Sequence, residues 1–199
     1  MTKLKVPLDP KDHAQGPADA PVTLVEYGDY ECPHCGHAYP IVKQLQQEFA
    51  KDMRFIFRNF PLSNAHPHAE LAAESAESAA EQGKFWEMHD WLFENQQDLS
   101  AANIVAGARQ LGLDARRLSK DIESRQYQER VRHDFSGGVH SEVRAINAEI
   151  RTWANTMRRK ASATRAARSV IARASGRRFS GGVTSRSDTK APMTRPTRI

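Results

Sequence analysis

The chain has 199 residues, 39% of them hydrophobic, and a formal net charge of +5. That length fits one domain with extra segments or two small ones, and no apolar run exceeds three residues, so no transmembrane helix is expected. The charge is split: residues 1–143 hold 15 Lys and Arg against 22 Asp and Glu, a net of −7, whereas residues 144–199 hold 14 against 2, a net of +12.

Residues 1–20 are polar and punctuated by Pro7, Pro10, Gly16 and Pro17, which predicts an extended arm. They contain no apolar stretch of the kind a secretory signal needs, so the expected location is cytoplasmic. Pro21 to Tyr27 is β-branched and apolar on both faces and is followed by Gly28 and Asp29. This predicts a strand in a sheet covered on both sides. A helix is expected to start near Cys32-Pro33, since proline suits the first helical position. Its apolar stripe would be Ile41, Leu45 and Phe49, and Pro40 should kink it. Asp52 to Phe60 alternates around Phe55 and Phe57 and predicts a second strand, which completes a βαβ unit. His68 to Asn95 is then helical, broken near Gly83, with Trp86, Trp91 and neighbouring phenylalanines expected in the core. Ser100 should cap a helix that Gly112 stops. Asp114 should cap another, running through Leu118, Ile122, Tyr127 and Val131 to an end at Gly137 and Gly138. Beyond Val143 the composition changes. Arg144 to Ala174 is expected as a basic helix, and Ser175 onward as disorder.

Cys32 and Cys35 are the two cysteines, spaced C-x-x-C where a strand feeds a helix. The first turn of a helix has unpaired N–H groups and the positive end of its dipole, so a thiolate at Cys32 should be stabilised there. Cys35 lies one turn further along the same face, within disulfide reach. His34 adds a cation or an N–H donor beside the sulfur. A low pKa at the exposed sulfur stabilises the reduced form and makes the disulfide oxidising. Glu26, on the strand, shares a face with Val22 and Leu24; an acid there is costly unless used, and its pKa should rise. It is placed to take the proton of Cys35. Two other readings stay open at this point: two idle cysteines, or a zinc site built from Cys32, Cys35 and two of His34, His37, His66 and His68. His66 and His68 are read first as loop and capping residues.

VTLVEYGDYECPHCGHAYP at 22–40, RFIFRNFPL at 54–62, HPHAELAAESA at 66–76 and GKFWEMHDWLF at 83–93 together resemble the DsbA-like branch of the thioredoxin superfamily. The resemblance covers about residues 20–141. It implies an α/β thioredoxin-like fold with a helical insertion at about 64–136, within a domain at 21–143 that follows the arm and precedes a tail at 144–199. It implies a thiol–disulfide oxidoreductase with Cys32 as nucleophile, Cys35 as resolving cysteine, Pro33 and His34 as the intervening dipeptide and Glu26 as the buried acid. The implied partners are protein or small-molecule thiols and disulfides, with no cofactor beyond the cysteines and no membrane.

The C-terminus departs from that pattern. In the family a cis-proline loop, a hairpin and a final helix follow the insertion. Here no proline occurs between Pro67 and Pro192, and nothing after Val143 has a strand–turn–strand pattern. The expectation is therefore an incomplete fold whose peptide exchange is slow. Two rival functions follow from the same departure: an inactive relative that keeps its CPHC, and a binding module that uses the basic tail. Nucleic acid is the less expected partner, because no recognised binding motif interleaves that tail.

Overall fold

The computed structural model describes residues 6–141. The expectations for residues 144–199, and for any strands or proline loop beyond Val143, lie outside the described residues.

Among the described residues, three strands form one sheet in the order β1-β3-β2: β1 (His13–Gln15), β2 (Val22–Gly28) and β3 (Met53–Asn59). β2 and β3 are parallel, with Val22 opposite Met53 and Glu26 opposite Phe57, and they are joined by α1 (Pro33–Glu48). This is the βαβ unit the sequence predicts. β3 is central and buried along almost its whole length, as an apolar strand covered on both faces should be. β1 lies within the arm expected to be extended and pairs antiparallel to β3, with His13 opposite Phe57.

α1 runs on through Pro40, and its buried stripe is Cys35, Ala38, Val42 and Leu45, with Phe49 buried just past the end. The predicted stripe had Ile41 in place of Val42; Ile41 is only half-buried. The buried face therefore carries the second cysteine into the core.

Five further helices follow among the described residues: α2 (Ala69–Ala80), α3 (Phe85–Glu94), α4 (Ala101–Gln110), α5 (Ala115–Glu123) and α6 (Gln128–His140). The break between α2 and α3 falls at Gly83, whose φ of +74° suits glycine. Ser100 Oγ accepts from the Asn103 N–H, and Asp114 accepts from the N–H groups of Arg116 and Arg117, so both predicted caps form. α3 lays Phe85, His89 and Phe93 against Phe57 of β3, with the Phe57 and His89 rings 4.6 Å apart.

Two expectations fail in the last helices. The helix expected from Asp114 through Val131 is two helices. Arg125 takes a φ of +55° between them, while its guanidinium pairs with Glu70 and, at 2.9 Å, with Glu74 of α2. Nor do Gly137 and Gly138 end a helix, since both lie buried inside α6. A Cβ at Gly138 would stand 2.5 Å from the Phe60 ring and 2.9 Å from that of Tyr27. Gly138 lets α6 lie close against Tyr27 and Phe60, and this tertiary contact overrides its poor helix propensity.

Candidate active site

β2 ends at Gly28 against the Phe57 ring, with no room for a side chain. The chain then turns through Asp29 to Glu31 into α1. Cys32 is the N-cap, with extended φ and ψ of −72° and 120°, and Pro33 opens the helix. The Cys32 N–H donates to the Asp29 carbonyl at 3.2 Å, and the Cys32 carbonyl accepts from the Gly36 N–H at 3.0 Å.

The two sulfurs differ in environment. Cys32 is half-buried, and Cys35 is 5% exposed. Burial raises the Cys35 thiol far above its ordinary pKa, against a smaller lowering by the Asp29 backbone, and charge on Cys32 or Glu26 adds to the rise. Cys35 therefore holds its proton. Glu26 is also 5% exposed, and burial pushes its carboxyl up to about 7. Its Oε1 has no hydrogen-bond partner. A carboxyl at that pKa gains and loses protons near neutrality. Pro33 and His34 are exposed on the solvent side of the same turn.

Sequence reasoning missed the groups that hold this turn. Asp29 is buried: Oδ1 accepts from the Glu31 N–H at 2.8 Å, and Oδ2 accepts from the Leu62 N–H at 2.8 Å and pairs with His66 Nδ1 at 2.7 Å. Glu31 grips His68 through its backbone N–H at 2.6 Å and its Nδ1 at 2.9 Å. His66 lies in the loop before α2, as expected; His68 stands at the N-cap of α2 but its side chain makes no capping bond, and both histidines are instead paired with acids next to the cysteines. Tyr30 is 1% exposed, and its hydroxyl meets His89 Nδ1 at 3.1 Å. Burial drives His89 down to about 3, so it stays neutral in this contact. From the loop after α3, Gln96 Nε2 donates to the carbonyls of Tyr30 at 2.7 Å and Cys32 at 2.9 Å. The available signal was the run of polar and acidic residues in GDYEC and ENQQD, which no apolar periodicity explains. Among the described residues, no three His, Cys, Asp or Glu side chains cluster so as to hold a metal ion.

A mixed three-stranded sheet, a C-x-x-C at a strand-to-helix junction and an inserted helical layer define a thioredoxin-like protein. The thioredoxin family pattern matches residues 8–146, and the chain belongs to that family. Among solved structures it is similar to oxidised BdbD from Bacillus subtilis, with a TM-score of 0.61 and 26% identity over 66% of this chain and 76% of that one. It is also similar to a thioredoxin-like oxidoreductase from Silicibacter pomeroyi, with a TM-score of 0.59 and 27% identity over 65% of this chain and 73% of that one. Among curated relatives, it is 45% identical over 141 residues to a Salinispora arenicola protein named Na(+)/H(+) antiporter NhaA 1. That match takes in 70% of this chain, which spans only 22% of the relative's length.

Proposed function

We propose that the chain is a thiol–disulfide oxidoreductase that works through Cys32 and Cys35 on protein or small-molecule thiols and disulfides, with no further cofactor. One observation carries the reading: a half-buried cysteine at a helix N-cap stands one turn from a buried cysteine that keeps its proton. In the reducing direction, the Cys32 thiolate attacks a substrate disulfide, forms a mixed disulfide and releases one substrate thiolate. Cys35 then gives its proton to the Glu26 carboxylate and attacks the Cys32 sulfur. The second substrate thiolate leaves, and the Cys32–Cys35 disulfide remains. The substrate has gained the two electrons that the dithiol lost. The oxidising direction is the same path reversed.

His34 is proposed to favour the Cys32 thiolate as a nearby donor, and Pro33 to fix the start of the helix. In the proposed cytoplasmic setting the pair rests mostly as thiols and acts as a reductant. Ion antiport is not part of this proposal. The antiporter relatives are matched over 22% to 26% of their length, and among the described residues no helix is long and apolar enough to cross a membrane.

A brief iodoacetamide pulse near neutral pH, mapped by mass spectrometry, tests the roles of the two sulfurs. Cys32 should label at least tenfold faster than Cys35, and insulin reduction should vanish in Cys32→Ser. Equal labelling, or a wild-type chain without exchange activity, overturns the proposal in favour of an inactive relative.

A further inference from the structure

Gln96 is the side chain from the helical layer whose bonds reach the backbone of the cysteine turn on both sides of Glu31. Both protons of its amide have an acceptor: the Tyr30 carbonyl at 2.7 Å and the Cys32 carbonyl at 2.9 Å. Its own loop is held firmly. Asn95 closes α3, with its side-chain amide donating to the Trp91 carbonyl at 2.9 Å, and the Asp98 N–H donates to the Asn95 carbonyl at 3.0 Å. The Asn103 side chain then donates to the Asp98 carbonyl at 2.7 Å. Gln96 therefore stands on a braced turn.

The fit is reciprocal. A Cβ at Gly36, the residue after the second cysteine, would collide with Gln96 Oε1. The Gly36 backbone in turn donates to the same Cys32 carbonyl that Gln96 holds. Glycine at position 36 makes room for the glutamine. Loop carbonyls would be satisfied by water just as well, so satisfying them does not account for an amide matched to two of them. What the amide adds is a fixed orientation for the N-cap residue. The stabilisation of a thiolate by helix N–H groups fades within the first turn, and reactive groups need placement within about 0.5 Å.

We infer that Gln96 is a positioning residue for thiol–disulfide exchange, locking the Tyr30–Cys32 backbone so that Cys32 keeps its place as the N-cap of α1. The inference rests on the oxidoreductase reading above. Losing the lock weakens the hold on the thiolate. That destabilises the reduced form, so the Cys32–Cys35 disulfide becomes less oxidising.

Three full-length variants test it. Gln96→Ala removes both bonds, Gln96→Glu keeps the shape but loses the two donors, and Gly36→Ala displaces the glutamine from the other side. The readouts are the Cys32 alkylation rate at pH 6 and the equilibrium with reduced and oxidised glutathione; far-UV circular dichroism reports folding. Each folded variant should alkylate at least threefold more slowly and shift the glutathione equilibrium at least threefold toward the protein disulfide. Glu94→Gln, which alters a neighbouring contact to the Tyr39 hydroxyl at 3.2 Å, should match wild type in both. Folded variants with a lower melting temperature but wild-type readouts would show a merely structural role and overturn the inference, and so would failure of all three to fold. A wild-type chain that neither equilibrates with glutathione nor favours Cys32 for alkylation overturns the oxidoreductase reading and this inference together. An active wild type with unaltered variants overturns the inference alone.

Discussion

Glu26 and His89 are both buried, and they act on stability in opposite directions as pH changes. The Glu26 carboxyl titrates at about 7 when folded, against an ordinary 4.5. Between those values the folded chain holds a proton that the unfolded chain gives up. Stability therefore falls as pH rises through that window, by about 3 kcal/mol in all. His89 titrates at about 3 when folded, against 6.5. There the unfolded chain takes a proton that the folded chain refuses, so stability rises with pH up to about 6.5. Over roughly pH 4.5 to 6.5 the two slopes oppose each other, and the wild-type profile should be shallow. Glu26→Gln leaves the rising slope alone. The variant should gain stability steadily across that window and exceed wild type at pH 8 by up to about 3 kcal/mol. Urea unfolding from pH 4 to 8 measures this; parallel profiles for the two proteins would refute it. The gain in stability should come with slower exchange near neutrality, because the acceptor for the Cys35 proton is gone.

At the scale of elements, α6 shows how tertiary contact rewrites a local signal. In an exposed helix, Gly→Ala would add about 1 kcal/mol of stability. At Gly138 the new methyl would press into Phe60 and Tyr27, at 2.5 and 2.9 Å. Overpacking of this kind costs about 1–3 kcal/mol, so Gly138→Ala should lower stability. Ser136→Ala, on the exposed side of the same helix, should stay within about 0.5 kcal/mol of wild type. Thermal and urea unfolding of the two variants make the comparison, and a stabilised Gly138→Ala would contradict the packing. The same logic explains the break at Arg125. Its left-handed backbone and its pairing with Glu70 and Glu74 are properties of α2 meeting the turn, and helical periodicity alone ran through it.

Across the whole molecule, the legible parts were those with a local period. β2, α1 and β3 followed from alternation, from a four-residue stripe and from proline at a helix start. The caps at Ser100 and Asp114 followed from side-chain chemistry. β1 was hidden because three residues, His13 to Gln15, are too few to carry a period. At the site, Cys32, Cys35 and Glu26 could be named from the strand and the C-x-x-C spacing. The brace around them could not, because Asp29 lies 37 residues from His66, and Gln96 lies 64 from Cys32. Such pairs have no common periodicity and meet only once the helical layer has docked. The acidic body and the basic segment after it also belong to this scale. The domain that matches the family coincides with the acidic stretch, so the overall charge of +5 describes neither part.

The unequal exposure of the two sulfurs also bears on survival under peroxide. An oxidant reaches Cys32 first and converts it to a sulfenic acid. Cys35, buried one turn away, can condense with that sulfenic acid, releasing water and closing the disulfide before a second oxidation makes the damage irreversible. The shielded cysteine is then a built-in repair partner whose own thiol is out of the oxidant's reach. Under a peroxide pulse, wild type should collect as an intramolecular disulfide that dithiothreitol reverses. Cys35→Ser should instead run on to sulfinic acid at Cys32, visible by mass spectrometry as a stable gain of two oxygens.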